Sequence, residues 1–405
     1  MSYGEESPRV TVRKEDGTLV LSIFGRIDST TVDDAAGQIR QALEDHPHDA
    51  VVLDFQHLTY ISSAGLRTIL RLKQKEPDTR IVNASPEIYD ILQTTGFTEM
   101  MDVQRAYRVI SIEGCEIIGA GANGTVYRVD PEIVVKVYLN ADALPEIKRE
   151  RELARTAFIS GVPTAIPYDV VRIQEGGYGS VYELLNAYSF AKLLHRGEKS
   201  PEELVKRSVD LLKLIHSRTV EASSMPDMRL VALGWAAFLK DYLAPELADK
   251  LYALIEAVPE NLHLVHGDYH VKNIMDQNGE SILIDLDTLS YGNPVFELGS
   301  MFNAYVGFGS ADPTVVEKFL GIPSAQAAAF WQRSLALYLG TDDPEVLRTA
   351  EEKAMIIGYA RIMRRTIRRR GLETEEGHRV IADCRAHLED LLPRTDTLLL
   401  ETADD

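Results

Sequence analysis

Two rhythms share this chain, and the break between them near residue 105 limits the folds open to it. From Arg9 to about Gln104 short strands alternate with short helices. Val10 to Lys14 alternates like a half-buried strand, Glu15-Asp16-Gly17-Thr18 supplies a turn, and Leu19 to Phe24 resumes as a second strand, a hairpin pattern. Ser29-Thr30-Thr31 offers an N-cap to apolar residues at helical spacing from Val32 to Leu43. The apolar run Ala50 to Phe55 reads as a strand buried on both faces. Ser62-Ser63-Ala64-Gly65 opens a helix through Leu66, Ile69, Leu70 and Leu72, and a strand at Arg80 to Ala84 precedes a helix from Pro86 to about Thr94. Alternation of this kind predicts one α/β domain over residues 8–104.

From Tyr107 to Tyr138 the pattern becomes strand, Gly-rich turn, strand, turn, strand. After about Glu146 it turns mainly helical, with Ser200-Pro201-Glu202-Glu203 a capped helix start and Ser281 to Asp285 a short β insertion. This predicts a second, α+β domain over 107–395. No Pro-, Gly- or Ser-rich stretch lies between Val103 and Ile112, so a stiff junction is expected.

Charge and cysteine usage narrow the function classes. Forty-three Lys and Arg against 62 Asp and Glu give a formal net charge of −19. Such a surface repels phosphodiester backbones and anionic lipid, so neither nucleic acid nor membrane is expected as a partner. No apolar run approaches the roughly 20 residues of a membrane helix. Met1 to Glu6 lacks the basic and apolar segments of a secretory signal. Cys115 and Cys384 cannot build a disulfide framework or a structural zinc site, which points to a reducing cytoplasm. Glu401 to Asp405 reads as a frayed acidic tail.

Three stretches can carry chemistry. Gly119-Ala120-Gly121-Ala122-Asn123-Gly124 lets backbone approach phosphate oxygens that a Cβ would block. A dinucleotide site would need a helix after it; strands at Val126 to Val129 and Ile133 to Tyr138 follow instead, which suits a flap over a nucleotide. Lys136 in the second of those strands reads alone as a solvent-facing lysine, but its place after the glycine loop suits a phosphate-pairing one. Its acidic partner is expected to be Glu150, with Glu146 and Glu152 as rivals. The third stretch is His266-Gly267-Asp268-Tyr269-His270-Val271-Lys272-Asn273, followed by Ile284-Asp285-Leu286-Asp287. A carboxylate near an attacking hydroxyl and hard oxygen ligands for magnesium are what phosphoryl transfer requires.

Together these motifs resemble the aminoglycoside phosphotransferase and choline kinase branch of the protein-kinase-like fold, marked by His-Gly-Asp. The resemblance implies a bilobal domain (N-lobe about 107–186, C-lobe about 187–395) that uses ATP and magnesium to phosphorylate a hydroxyl of a small molecule. By position Gly119, Gly121 and Gly124 cover the phosphates, Lys136 binds them and Glu150 orients Lys136. Asp268 is the catalytic base or hydroxyl-orienting group. Asn273 and Asp285 hold magnesium, with Asp287 an additional metal or supporting group. Glu183 to Asn186 match the hinge that meets adenine. Glu297 stands where the family usually has Asp, and is expected to keep a structural hydrogen bond to the catalytic loop. Lys272 is read equally as a phosphate contact or a solvent-facing residue.

In the first domain, Leu53-Asp54-Phe55 and Leu58 to Arg67 resemble the STAS fold of sulfate transporters and anti-sigma factor antagonists. Ser63 matches the serine that a partner kinase phosphorylates in the antagonists, with Ser62 in place of the usual Asp and Ala64 in place of the second Ser. A phosphate there would meet a helix N-terminus; the alternative is that Ser62 and Ser63 only cap the helix. The resemblance implies an anti-sigma-factor-like protein as partner. It also opens a regulatory-switch reading, in which the kinase domain phosphorylates Ser63 of its own chain.

Lesser features remain. Arg361, Arg364, Arg365, Arg368, Arg369 and Arg370 read as a solvated helix face, with an anion or partner site as the alternative. Trp235 and Tyr242, with Asp241, read as helix packing or as walls for a cationic headgroup. His266 is expected to brace the catalytic loop, and His270 is left open.

Overall fold

The computed structural model describes residues 8–121 and 123–400. The expectations for Met1 to Glu6, Ala122 and Glu401 to Asp405 therefore lie outside the described residues. The chain divides into two compact units, one of residues up to Glu113 with Val170–Gly176, the other of Gly114–Asp169 and Gly177 onward.

The first unit runs β1 (Arg9–Glu15), β2 (Thr18–Ile27), α1 (Val32–Asp45), β3 (Ala50–Ile61), α2 (Ser63–Lys75), β4 (Thr79–Ala84), α3 (Pro86–Thr94), α4 (Phe97–Met100), β5 (Val103–Arg105) and β6 (Arg108–Ile110). Its sheet has the order β1-β2-β3-β4-β5. β1 and β2 form the antiparallel hairpin, and the remaining pairs are parallel. Leu19, Leu21, Ile23, Val51, Leu53 and Phe55 are fully buried in one core with Ile39, Ile69 and Leu92 of the helices. The α1 start differs from the expectation: Thr31 makes no side-chain cap. Asp28 instead shapes the turn before the helix, accepting the N–H groups of Thr30 and Thr31 at 2.9 and 3.2 Å. The Thr31 hydroxyl is already engaged in that turn, accepting the Asp28 N–H at 2.9 Å and donating to the Arg26 carbonyl.

The second unit begins with β7 (Glu116–Ala120), β8 (Gly124–Arg128), β9 (Ile133–Tyr138) and α5 (Leu144–Ile159). The following strand, β10 (Asp169–Ile173), belongs to the first unit and pairs in parallel with β6. The sequence reading passed over it, since five residues broken by Arg172 carry little periodic signal. β11 (Tyr178–Glu183) returns to the second unit, whose strands run antiparallel as β7-β8-β9-β11.

Then come β12 (Tyr188–Ser189), α6 (Phe190–Arg196), α7 (Pro201–His216), α8 (Met228–Leu239), α9 (Pro245–Glu256), β13 (Leu264–Val265), β14 (Ile274–Gln277), β15 (Glu280–Leu283) and β16 (Ser290–Tyr291). The chain closes with α10 (Pro294–Tyr305), α11 (Thr314–Leu320), α12 (Ser324–Leu339), α13 (Pro344–Arg368) and α14 (Glu375–Arg394). Every residue of α10 from Val295 to Tyr305 is buried. A helix apolar on nearly all sides belongs at the centre of a helical lobe, and α10 is the post on which the loop after β13 rests. Among the described residues no helix is long and apolar enough to cross a membrane.

Candidate active site

In β9 Val134 and Val135 are buried on opposite faces, and Lys136 is half-buried. Its Nζ lies 2.9 and 3.1 Å from the two carboxylate oxygens of Glu150 and 3.1 Å from Asp285 Oδ1. Glu150 is buried on α5, while Glu146 and Glu152 are exposed. Two phenols complete the seat of Glu150: Tyr138 donates to Oε2, and Tyr182 donates to Oε1 at 3.0 Å. Burial acts to lower the Lys136 pKa, but Glu150 and Asp285 outweigh it and hold the ammonium well above the ordinary lysine value. Burial, with the Glu150 charge, drives both tyrosines upward, so they remain donors.

The turn after β13 is fixed from three sides. Gly267 has φ +80°, and a Cβ there would lie 2.8 Å from the Thr288 carbonyl oxygen. The Glu297 carboxylate accepts the N–H of His266 and, at 3.0 and 3.2 Å, that of Gly267. The Gly267 carbonyl accepts from Ser300 Oγ at 2.8 Å and from Arg361 Nη1 at 2.6 Å. Asp268 donates its N–H to His266 Nδ1 at 3.2 Å. That ring nitrogen must be the acceptor, so Nε2 carries the proton and donates to the Ile284 carbonyl, also at 3.2 Å. His266 thus ties Asp268 to the segment that carries Asp285.

Asp268 is 38 % exposed at its side chain, and His270 Nε2 stands 3.5 Å from its Oδ2. Burial would raise its pKa, but the His270 hydrogen bond and charge, with Arg361, hold the carboxyl well below the usual carboxylate range. Asn273 donates from Nδ2 to the Asp268 carbonyl at 3.0 Å, and its own carbonyl accepts the Ile284 N–H at 2.9 Å. The expected strand position of Asp285 needs correction. β15 stops at Leu283, and Asp285 sits beyond it at φ +61°. Asp287 is pushed up to about 7, first by burial and then by the Asp285 charge. Asn123, in the glycine loop, donates its side-chain amide to Asp287 Oδ2. Among the described residues no three His, Cys, Asp or Glu side chains form a metal cage.

The glycines differ in what they require. Gly124 is buried, and a Cβ would come within 2.3 Å of the Val137 carbonyl oxygen, so packing alone demands it. Gly121 closes the turn by donating to the Gly124 carbonyl at 2.9 Å, and Gly119 sits at an irregularity between β7 and β8. Glu183 and Asn186 are exposed around the end of β11. Leu184 between them donates to the Glu132 carbonyl at 2.7 Å. Among the described residues no hydrogen bond or ion pair joins Glu183 or Asn186 to Lys136, Glu150 or Asp285.

Sequence reasoning gave no role to Tyr138, Tyr182 or Ser300, quoted Asn123 only as part of the glycine loop, and read Arg361 only within the basic run. Tyr138 had a signal, two residues past Lys136 on the same strand face; Tyr182 and Ser300 come from remote segments. The headgroup reading of Trp235 and Tyr242 is corrected: the Arg361 guanidinium already lies over the Trp235 ring at 5.6 Å, and Tyr242 stacks on Phe238 at 5.3 Å. Lys272 Nζ lies over the Phe319 ring at 5.3 Å. In the first unit Ser62 caps α2 by accepting from Gly65 N at 3.4 Å, while Ser63 is exposed as the first helical residue.

Two family models match the chain. The model of the phosphotransferase enzyme family matches residues 114–338, more than half the chain, and a STAS domain model matches 9–109. The chain therefore belongs to the phosphotransferase enzyme family, and it carries a STAS domain in front of the kinase-like fold. Over 99 residues it is 29 % identical to BtrV of Bordetella bronchiseptica, described as a candidate anti-sigma factor antagonist, covering 24 % of this chain and 84 % of that protein. The anti-sigma F factor antagonist of Paenibacillus polymyxa is 22 % identical over 99 residues, covering 24 % and 85 %. Among solved structures, a thermostable mutant of aminoglycoside phosphotransferase APH(4)-Ia in its apo form aligns at 15 % identity and TM-score 0.48, covering 69 % of this chain and 94 % of that one.

Proposed function

We propose that the protein transfers the γ-phosphoryl group of ATP, taken as its magnesium complex, to a hydroxyl of a small molecule. One observation carries the reading: Lys136 is bound at once by Glu150 and by Asp285, the latter 149 residues along the chain. That arrangement brings the lysine of the sheet to the acidic segment that His266 ties to Asp268. In this reading Lys136 binds phosphate oxygens, with Glu150 and its two tyrosines fixing the ammonium, and Gly119, Gly121 and Gly124 form the flap. The Glu183–Asn186 segment meets adenine.

Asp268 is the catalytic residue. A carboxylate held so low accepts a hydrogen bond readily and a proton poorly. It therefore orients the acceptor hydroxyl first, and takes the proton only as the new P–O bond forms. The donor chemistry fits magnesium, a hard cation that prefers oxygen and keeps water and phosphate among its ligands. Asp285 and Asp287 repel each other, and Asn273 has its Nδ2 engaged, leaving its amide oxygen for a cation. When bound, magnesium supplies positive charge against the transferring group.

A second reading rests on the exposure of Ser63 at the start of α2 and on the antagonists that the STAS domain resembles. In it the STAS domain is a switch that binds an anti-sigma-factor-like protein, and the kinase domain phosphorylates Ser63. A reducing, cytoplasmic setting suits the two free cysteines. Labelled ATP separates the readings. Label on the protein that disappears in both Ser63→Ala and Asp268→Ala supports the switch; no protein label, with turnover on an added panel of alcohols, supports the small-molecule kinase.

A further inference from the structure

Helix α13 carries cations to the side of Asp268 without supplying them with carboxylates. Arg361 is fixed, donating to the Gly267 carbonyl and to Ser300 Oγ at 3.0 Å while lying over Trp235. One turn further, the Arg365 guanidinium lies 5.1 Å over the Phe308 ring. Phe308 packs edge-on against Phe319 at 5.7 Å, and Phe319 carries Lys272 Nζ and packs against the His270 ring at 5.0 Å. His270 is the residue whose Nε2 faces the Asp268 carboxylate. A continuous path of ring contacts therefore joins Arg365 and Lys272 to the catalytic carboxylate.

The arginine in the first turns of α13 is compensated. Arg348 pairs with Glu345 and Glu352, and Arg394 of α14 reaches Glu352 as well. Among the described residues no such ion pair involves Arg361, Arg364 or Arg365, and Arg364 Nε is buried with no partner. Burial, Arg369 and Arg361 lower the Arg365 pKa, with Asp268 as the charge opposing them. In a chain of net charge −19, Arg361 and Arg365 share the single carboxylate of Asp268 and, with Arg364, make no ion pair among the described residues, which leaves an excess of positive charge that an added anion would offset. The solvated-face reading of this run does not account for Arg361 or Arg364, both half-buried.

Building on the phosphotransferase reading, we infer that the acceptor is a hydroxylated anion, with its phosphate or carboxylate group held by Arg365 and Lys272 while its hydroxyl meets Asp268. Guanidinium groups match both anions through paired N–H donors. Arg361 is a positioning residue, since it acts on the Gly267 carbonyl. The transfer is balanced: the acceptor oxygen bonds to γ-phosphorus, the bridging bond to ADP breaks, and the hydroxyl proton leaves by way of Asp268.

The test uses the full chain, saturated with magnesium and the non-hydrolysable analogue AMP-PNP, and reads two titrations by calorimetry and tryptophan fluorescence. Inorganic phosphate and acetate are the anion probes, and ethanolamine is the cationic control. Phosphate or acetate is expected to bind, with the tighter of the two naming the group on the acceptor, and ethanolamine is not. Arg365→Gln combined with Lys272→Gln should weaken the anion about tenfold or more, while Arg365→Lys restores part of the loss; unfolding temperatures check that each variant is folded. Anion binding that ignores both substitutions, no anion binding up to about 50 mM, or tighter binding of ethanolamine overturns the inference. If AMP-PNP fails to bind while phosphate binding still needs Arg365, the phosphotransferase reading and the acceptor assignment fall together and a plain anion site remains. If AMP-PNP binds and the anion result fails, only the acceptor class falls.

Discussion

Glu297 holds Gly267 from within the lobe, its two carboxylate oxygens 3.0 and 3.2 Å from the glycine N–H. The turn that presents Asp268 is therefore anchored to a central helix rather than to the surface. The longer side chain, standing where the family usually has Asp, still reaches the loop. His216 Nε2 approaches the same carboxylate at 3.9 Å.

This anchor makes stability depend on pH in a defined sense. Burial would raise the Glu297 pKa, but the His216 hydrogen bond and the backbone N–H of His266 hold it below its ordinary 4.5. A depressed carboxyl contributes stability that is present above that ordinary value and is lost as pH falls through the lower folded-state value. Glu297→Gln is expected to destabilise by about 2–4 kcal/mol at pH 7. The gap between wild type and variant should shrink as pH drops below 4.5. Urea unfolding across that range measures both; an equal gap at every pH contradicts the assignment.

Gly267→Ala forces a side chain into a left-handed backbone and against the Thr288 carbonyl. The expected loss is about 1–3 kcal/mol of stability, together with a fall in kcat as Asp268 shifts. Thermal unfolding and turnover with ATP on the same preparation check the pairing. A fully stable, fully active variant would mean that the turn is not rigid.

Much of this was legible beforehand, because it is written in local signals. Lys136, the His266–Asn273 loop and Asp285 announce themselves by residue type and spacing, and the β1–β2 hairpin by alternation around Asp16-Gly17. What stayed hidden depends on distant partners. Arg361 lies 94 residues from Gly267 and Ser300 lies 33 from it, and no periodicity joins them. The N-cap expected from Ser29-Thr30-Thr31 does not form because the Thr31 hydroxyl is engaged with Asp28 in the preceding turn, a competition that a residue pattern does not rank. That Asp285 lies past its strand was not legible, since a left-handed backbone at Asp leaves little trace in hydropathy.

Asp268→Asn should lower kcat by about 10²–10⁴-fold while leaving magnesium-nucleotide affinity within a few-fold. Since the carboxyl is held well below the usual range, its titration should add no acid limb to kcat between about pH 5 and 8. Steady-state rates across that interval decide it. An acid limb there that vanishes in the variant would contradict the low pKa.

Lys136→Met removes the cation held by Glu150 and Asp285, and should lower kcat/KM for ATP by on the order of 10²–10³-fold. Glu150→Gln keeps the lysine and weakens its seat, so a smaller loss is expected. Turnover of the two variants side by side tests the ranking, and a larger loss in Glu150→Gln would reverse the roles given to them.

The central claim is that Lys136 and the Asp268–Asp287 segment receive a magnesium-nucleotide. Calorimetry of ATP binding to Asp268→Asn, in which turnover is suppressed, tests it with magnesium present and with magnesium chelated. The account predicts saturable binding that requires magnesium and is lost when Lys136→Met is added. No heat of binding at millimolar nucleotide, or binding indifferent to both magnesium and Lys136, would contradict it.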